Sequence, residues 1–260
     1  MPKFNANLTF LYNEVDFLQR FERAAQSGFK GVEYLFPYAF PKEAIGEQLE
    51  KHGLEQVLFD LPSGDWDGGE RGIATLPDRV GEFQDGVGQA IDYAQTLGCK
   101  QLTCLAGLAP EGVTEDKIEQ VLVDNLRFAA EALDKEGITL LLEPLNSQDI
   151  PGFFVVYSAH ALRLIEAVGH PNCWLQFDLY HAQIMEGNLT RTIRDRLAQI
   201  PHMQLADNPG RNEPGTGEIN YTNLFRFIDE SGYDGWIGCE YKPAGDTRQG
   251  MGWIEPFLQP

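Results

Sequence analysis

Residues 138–146 read ITLLLEPLN, a run of aliphatic side chains that ends in a glutamate and a proline. Three similar runs follow it along the chain: CWLQFDLYH at 173–181, HMQLADN at 202–208 and WIGCEYKP at 236–243. Nearly continuous apolar runs of this length are typical of parallel strands that are covered on both faces. Each run also carries an oxygen-bearing side chain at or near its carboxyl end.

Eight such runs are spread along the 260 residues. They are Phe4–Leu8, Gly31–Leu35, Gln56–Leu61, Lys100–Leu105, Thr139–Leu145, Cys173–Leu179, His202–Ala206 and Trp236–Glu240. Between them apolar residues recur at helical spacing, and several of these stretches end at a glycine, such as Gly28, Gly98 and Gly137. We therefore predict an α/β fold, a (β/α)₈ TIM barrel that forms a single domain over residues 1–260, with a doubly wound sheet as the alternative.

The composition restricts the classes of partner. Lys and Arg number 20 against 39 Asp and Glu, for a net charge of −19. Such a surface repels phosphate backbones and anionic lipids, which disfavours nucleic-acid and membrane partners. The N-terminal residues MPKFNANLTF lack the apolar core of a secretory signal, and the four cysteines show no CxxC spacing. We expect a cytoplasmic protein with free thiols.

Four side chains at the ends of consecutive predicted strands form a candidate metal site. Glu143, Asp178, Gln204 and Glu240 are separated by 35, 26 and 36 residues. Taken singly, Glu143, Asp178 or Glu240 could be a solvated loop residue or a helix N-cap, and Gln204 could be an ordinary hydrogen-bonded buried residue. In a barrel, however, the four would converge. Three carboxylates that close repel each other unless a cation neutralises them. An all-oxygen set favours Mg²⁺, with Mn²⁺ as the alternative, over Zn²⁺.

Candidate substrate-binding residues accompany these ligands. His181 follows Asp178 by three residues, and Lys242 follows Glu240 by two. Arg211 lies in the Gly- and Pro-rich loop ADNPGRNEPGTGEINY at 206–221, where it could clamp a carboxylate that the acidic protein otherwise repels. Arg71 lies in a second Gly-rich loop, LPSGDWDGGERGIA at 61–74, which is expected to cover the site. The alternative for each is an ordinary loop residue.

Several motifs resemble those of the hydroxypyruvate isomerase family, within the xylose isomerase-like TIM barrel superfamily. They are LLEPLN, QFDLYH, HMQLADNPGR, EPGTGEINY and GWIGCEYKP, with FNANLTFLY, GVEYLFPY and GERGIA in the N-terminal half. The resemblance covers essentially the whole chain. It implies that Glu143, Asp178, Gln204 and Glu240 ligate the metal and that Glu143 and Glu240 also transfer the proton. Related sugar epimerases have His where this chain has Gln204.

The resemblance also implies an activity, namely the interconversion of hydroxypyruvate and 2-hydroxy-3-oxopropanoate (tartronate semialdehyde) in glyoxylate metabolism. The reaction would be metal-assisted proton transfer through an enediolate, without an organic cofactor, and a hydride shift is the rival mechanism. A 2-oxo-tetronate isomerase or a related ketose epimerase is the alternative function. The partner would be a small 2-oxo or hydroxy acid, and the acidic surface is compatible with a specific homo-oligomer.

Two other classes are disfavoured. A phosphodiesterase acting on abasic DNA would need more clustered histidines and a basic surface, whereas this chain has five scattered histidines. A non-catalytic sugar-acid binding protein would have no reason to keep two carboxylates on opposite sides of one metal.

Overall fold

The computed structural model describes residues 1–258. In this part of the chain eight strands follow one another in a closed barrel, in the order β1 to β8. The strands are β1 (Lys3–Asn7), β2 (Gly31–Tyr34), β3 (Glu55–Asp60), β4 (Gln101–Leu105), β5 (Thr139–Glu143), β6 (Cys173–Asp178), β7 (His202–Leu205) and β8 (Trp236–Cys239). The helices are α1 (Phe17–Gln26), α2 (Lys42–His52), α3 (Val80–Leu97), α4 (Glu115–Asp134), α5 (Ser158–Val168), α6 (Leu179–Met185), α7 (Leu189–Arg196) and α8 (Tyr221–Glu230). The predicted (β/α)₈ barrel is thereby confirmed, and the doubly wound alternative is wrong.

The strand β5 shows why apolar runs become strands here. Its three leucines, 140–142, are fully buried at successive positions, as a parallel strand covered on both faces requires. Leu141 is in register with Thr103 of the parallel strand β4. The predicted strand continued to Leu145, but β5 ends at Glu143 because Pro144 has no N–H with which to extend the ladder.

The boundaries of the other strands agree with the prediction to within one residue at each end. Helix ends follow the predicted glycine signals. Helix α3 stops at Leu97, and Gly98 adopts the left-handed conformation with φ of 68° that a side chain would disfavour.

Two compact units make up the described chain. The first unit contains residues 1–57 and 177–258, and its core includes Phe4, which meets Phe225, Trp253 and Phe257 at ring-centroid distances of 5.1 to 5.6 Å. The second unit is Leu58–Gln176, in which α4 packs against α3 and β5. The single-domain assignment stays a prediction.

Residues 1–258 contain no helix that is long and apolar enough to cross a membrane. The four cysteines are free thiols, and each of them is buried.

Candidate active site

A glutamate inside β2 is the centre of a buried polar network in the first unit. Glu33 is fully buried, and its carboxylate accepts hydrogen bonds from side chains of two other strands. Nδ2 of Asn5 and Nδ2 of Asn7 donate to it from β1, at 2.7 and 2.9 Å. Nε2 of His202 and Nε2 of Gln204 donate from β7, at 2.9 and 2.8 Å. Alternate residues of a strand face the same side, so each strand presents its two donors together.

Glu33 occupies space that a glycine on β8 leaves open. A Cβ atom at Gly238 would lie 2.5 Å from Cδ of Glu33, so a larger residue there would displace the carboxylate. Burial alone raises the pKa of Glu33, but the charge of His202 and the donated hydrogen bonds outweigh it and hold the pKa below its usual value. Glu33 is therefore a buried, ionised carboxylate.

Glu240, the residue after β8, shares two donors with Glu33. Its Oε1 accepts from Nδ2 of Asn7 at 3.1 Å and from Nε2 of Gln204 at 3.2 Å. Each of these amide groups therefore bridges the two carboxylates. Glu240 is 6% exposed, and burial raises its pKa to about 8, with nearby carboxylates adding to the shift and a guanidinium opposing it.

That guanidinium belongs to Arg211. Its Nη2 donates to Oε2 of Glu240 at 2.6 Å. Its Cζ lies 4.9 Å from the ring centre of Phe10 and 5.1 Å from that of Tyr180, distances at which an aromatic face attracts a cation. The backbone at Arg211 has φ of 54°, which is uncommon for a residue with a side chain. A carboxylate and two aromatic rings thus hold Arg211 at the site.

The loop that carries Arg211 is organised by Asp207. The carboxylate of Asp207 accepts four backbone hydrogen bonds of 2.8 to 3.0 Å. Their donors are the N–H groups of Asn208, Gly215, Gly217 and Ile219. The backbone N–H of Lys242 in turn donates to the carbonyl oxygen of Arg211 at 2.7 Å. Asp207 therefore fixes the path of the loop.

Three buried side chains of the first unit can hold a divalent metal. One potential ligand atom from each of Asp178, His181 and Glu240 lies within 4.8 Å of the other two. Oδ1 of Asp178 accepts the N–H of Tyr180 at 2.7 Å, where α6 begins. Its Oδ2 is a buried oxygen with no hydrogen-bond partner among residues 1–258, and it lies 3.6 Å from Nε2 of His181. A buried oxygen of this kind suits a cation.

The protonation of these groups also suits a cation. Burial raises the pKa of Asp178 to about 6. Burial, together with the charge of Arg211, holds the pKa of His181 well below its usual value, so the imidazole is neutral. A divalent cation would stabilise the ionised carboxylates, and a neutral imidazole is a metal ligand.

Gln204 lies among the predicted site residues, but it presents its amide nitrogen to Glu240. A metal would need its oxygen, so here the side chain acts as a hydrogen-bond donor, and its role as a ligand stays a prediction. His181, which the sequence assigned to substrate binding, lies beside the carboxylates, and its role stays a prediction.

The remaining predicted site residues are Lys242 in the first unit and Glu143 and Arg71 in the second. Lys242 follows Glu240, but its side chain is exposed and its backbone makes the contact with Arg211. Glu143 belongs to the second unit, where it ends β5 and is 4% exposed. Arg71 of the second unit donates from Nη1 to the carbonyl oxygens of Trp66 and Glu70, and its Cζ lies 4.4 Å from the ring centre of Trp66. These contacts hold Arg71 within its own loop.

Glu33, Asn5 and Asn7 are functional candidates that the sequence did not predict. Asn5 and Glu33 lie inside β1 and β2, and Asn7 is the last residue of β1. A signal was present, because GVEY places one charge within a buried strand and KFNAN alternates two amides. A charge is costly to bury unless it is paired, so Glu33 requires donors nearby.

Comparisons with known proteins agree with this fold. A model of the xylose isomerase-like TIM barrel family matches residues 21–257. Hydroxypyruvate isomerase of Escherichia coli is 52% identical over 257 residues, 99% of this chain and 100% of that protein. A 2-oxo-tetronate isomerase of Pectobacterium atrosepticum is 43% identical over 259 residues, 100% of this chain and 99% of that protein. A crystal structure described as AP endonuclease, family 2, from Brucella melitensis is 47% identical, with a TM-score of 0.96 and 99% of each chain covered.

Proposed function

The chain belongs to the xylose isomerase-like TIM barrel family, and we propose that it is a metal-dependent isomerase that interconverts hydroxypyruvate and 2-hydroxy-3-oxopropanoate. The observation that carries this assignment is the buried pair of carboxylates Asp178 and Glu240, with His181 and Arg211 beside them. It combines donors for a divalent cation with a guanidinium suited to the carboxylate of a 2-oxo acid. The 52% identity to hydroxypyruvate isomerase of Escherichia coli supports the same isomerase activity.

The metal would be held by Asp178 and Glu240 together with Glu143 and Gln204, the remaining ligands predicted from the sequence. Glu143 ends β5, the strand that pairs with β6, and Asp178 ends β6. Oxygen ligands favour Mg²⁺, with Mn²⁺ as the alternative. When bound, the cation polarises the substrate carbonyl and offsets negative charge that develops on it.

The protein's own groups would move the proton. In hydroxypyruvate a proton leaves C3, which carries the hydroxyl group, and a proton is added to C2, the former carbonyl carbon. Glu143 and Glu240 would act as the base and the acid on the enediolate between these two states. General acid–base groups work best with a pKa near the operating pH. Burial raises the pKa of Glu240 to about 8 in the metal-free protein, and a bound cation would lower it again. Arg211 would bind the substrate carboxylate through its planar fork of donors, with His181 hydrogen-bonding a substrate oxygen.

A 2-oxo-tetronate is the second candidate substrate. The 43% identity to the 2-oxo-tetronate isomerase of Pectobacterium atrosepticum supports it. It carries the same carboxylate and carbonyl groups with one further hydroxylated carbon, so the same site chemistry would apply. Cleavage of abasic DNA is disfavoured because the net charge of −19 repels a phosphate backbone.

We further propose a cytoplasmic location and a place in glyoxylate metabolism for this chain. The same proposal includes two further contributions to substrate binding. The loop at 61–74 would cover the site and bring Arg71 to the substrate, and Lys242 would also bind the substrate. Arg71 would have to reach the substrate from the loop in which it is now held, and Lys242 would do so from an exposed position.

The test is turnover of hydroxypyruvate in D₂O, followed by proton NMR. Chelator-stripped protein should be inactive and should form 2-hydroxy-3-oxopropanoate after Mg²⁺ or Mn²⁺ is restored. Deuterium at C2 of the product would exclude a pure hydride shift. Glu240→Gln should lose at least about 10²-fold in kcat, and Glu218→Gln, on the exposed part of the loop, should not. A lack of conversion with either metal would overturn the assignment to hydroxypyruvate and direct the same assay to 2-oxo-tetronates.

A further inference from the structure

We propose that Glu33 is a positioning residue for Glu240 and acts through the amide groups of Asn7 and Gln204. This inference rests on the proposed function, in which Glu240 transfers a proton and helps to hold the metal. Glu33 is fully buried inside β2, so its effect must pass through the side chains that it binds.

The two amides bridge the same pair of oxygens. Nδ2 of Asn7 lies 2.9 Å from Oε1 of Glu33 and 3.1 Å from Oε1 of Glu240. Nε2 of Gln204 lies 2.8 and 3.2 Å from the same two atoms. An amide nitrogen carries two hydrogens, so each group can donate to both carboxylates at once. Glu33 therefore determines where both donors of Glu240 are aimed.

The other oxygen of Glu33 fixes that carboxylate in turn. Oε2 accepts from Nδ2 of Asn5 at 2.7 Å and from Nε2 of His202 at 2.9 Å. Gly238 leaves room on β8 for this carboxylate, since a Cβ atom there would lie 2.5 Å from Cδ of Glu33. Hydrogen bonds to an ionised acceptor are stronger than those between neutral groups, which keeps the arrangement fixed.

Glu240 needs this support because its remaining hydrogen bond, from Arg211, holds only one of its two carboxylate oxygens. Arg211 holds Oε2 at 2.6 Å, and the two bridging amides hold Oε1. Without the amides the carboxylate could turn about its bond to Arg211. A misplacement of about 1 Å at a reacting group can cost roughly 10²-fold in rate. A glutamate that only stabilised the barrel would lower the melting temperature without this loss.

Two variants move Glu33 in different ways, and a third provides a matched control. Glu33→Gln removes the charge and turns an N–H toward the donors, whereas Gly238→Ala keeps the charge but displaces the carboxylate. Gly235→Ala introduces a comparable clash just before β8, 2.6 Å from the carbonyl oxygen of Pro201, without touching Glu33. We expect the first two variants to lose about 10²-fold in kcat with little change in KM, and the control to keep its kcat.

Mn²⁺ binding, measured as free ion by electron paramagnetic resonance, gives a readout that does not need turnover. Residues that orient metal ligands typically change metal affinity by about 10- to 100-fold, so Glu33→Gln and Gly238→Ala should bind Mn²⁺ that much more weakly than Gly235→Ala. Should wild-type protein turn over neither candidate substrate, the proposed function would fail and Mn²⁺ affinity alone would decide the role of Glu33.

A double-variant cycle tests the route through the amide. Glu33→Gln and Asn7→Ala should cost less in combination than the product of their separate fold-changes, because both disturb the same bridge. If the fold-change of the double variant equals the product of the two separate fold-changes, Glu33 does not act through the amide of Asn7. Folded Glu33→Gln protein with wild-type kcat and Mn²⁺ affinity would overturn the proposal as a whole. If Glu33→Gln does not fold, the kcat and Mn²⁺ affinity of Gly238→Ala decide whether the proposal stands.

Discussion

Nη2 of Arg211 lies 2.6 Å from Oε2 of Glu240, with 15% and 8% of the two side chains exposed. A guanidinium so close lowers the pKa of a carboxylate, yet burial and nearby negative charges keep the pKa of Glu240 at about 8. The metal-free site therefore contains both protonated and ionised Glu240 near neutral pH. Arg211 moderates the pKa of Glu240, and in the proposed reaction it would also offer a cation to the substrate.

Arg211→Lys should raise KM for hydroxypyruvate. An ammonium cannot reproduce the planar fork or the stacking on Phe10 and Tyr180. Losing a hydrogen bond to a charged group costs about 1.5 to 3 kcal/mol, which corresponds to a KM increase of roughly 10- to 100-fold. Steady-state kinetics would measure it, with the exposed Arg226→Lys as the control. An unchanged KM in Arg211→Lys would remove Arg211 from substrate binding.

Mg²⁺ or Mn²⁺ should stabilise chelator-stripped protein against unfolding. A ligand that binds only the folded state adds about 2.7 kcal/mol at one hundred times its Kd. Asp178→Asn should abolish most of this gain, because the buried Oδ2 is lost as an anionic ligand atom. Asp195→Asn on the exposed face of α7 should keep it. Thermal unfolding with and without metal is the measurement, and equal metal-induced shifts in the two variants would contradict the assignment.

The positions of the strands could be predicted because their cause is local. A parallel strand that is buried on both faces must be apolar at successive positions, and runs such as TLLLE in β5 show this directly. Once the barrel order is given, the ends of β6 and β8 must bring Asp178 and Glu240 to the same end of the barrel. The sequence therefore predicted these carboxylates as neighbours.

The contacts of Glu33 could not be predicted in the same way. They depend on which atoms of β1, β7 and β8 face one another, and register between strands that are distant in sequence has no local signal. Gly238 shows the difficulty. A glycine is needed at this position because the carboxylate of Glu33, about two hundred positions earlier in the chain, occupies the space that a side chain would fill. Glu33 likewise sets the orientation of the Gln204 amide. The sequence predicted the Gln204 oxygen as a metal ligand, whereas the structure turns the nitrogen toward the carboxylates.

Asp207→Asn should weaken substrate binding through its effect on the loop that carries Arg211. The carboxylate accepts hydrogen bonds from four backbone N–H groups of the loop that carries Arg211, two at each oxygen. In Asp207→Asn the NH₂ group replaces one of these oxygens, so two backbone N–H groups would face a donor and lose their acceptor. A buried unsatisfied donor costs about 1 to 3 kcal/mol, so we expect a lower melting temperature and a higher KM. Kinetics and thermal unfolding would measure both effects. Glu218→Gln in the same loop, at an exposed position, is the control, and an unchanged KM in Asp207→Asn would show that the loop keeps Arg211 in place without this carboxylate.

Metal-free protein should lose stability as the pH rises toward 8. The folded-state pKa values of Glu240 and Asp178 are raised by burial to about 8 and about 6, from ordinary values of 4.5 and 3.8. The folded state thus holds these protons more tightly than the unfolded chain, so their contribution is full below the ordinary values and is lost as the pH rises through the folded ones. Glu33 has the opposite shift, and its contribution is lost only at acid pH.

The melting temperature of chelator-treated protein, measured from about pH 6.5 to pH 8, should therefore fall. Below this range the depressed pKa of His181 makes stability rise with pH and opposes the fall. Glu240→Gln cannot ionise and should flatten the upper part of this fall, whereas Glu218→Gln should retain it. Saturating Mn²⁺ should remove the fall in wild-type protein, because the cation stabilises the ionised carboxylates that burial disfavours. A melting temperature that stays level or rises over this range in the metal-free protein would mean that Glu240 remains ionised, and that something other than a bound cation compensates its charge.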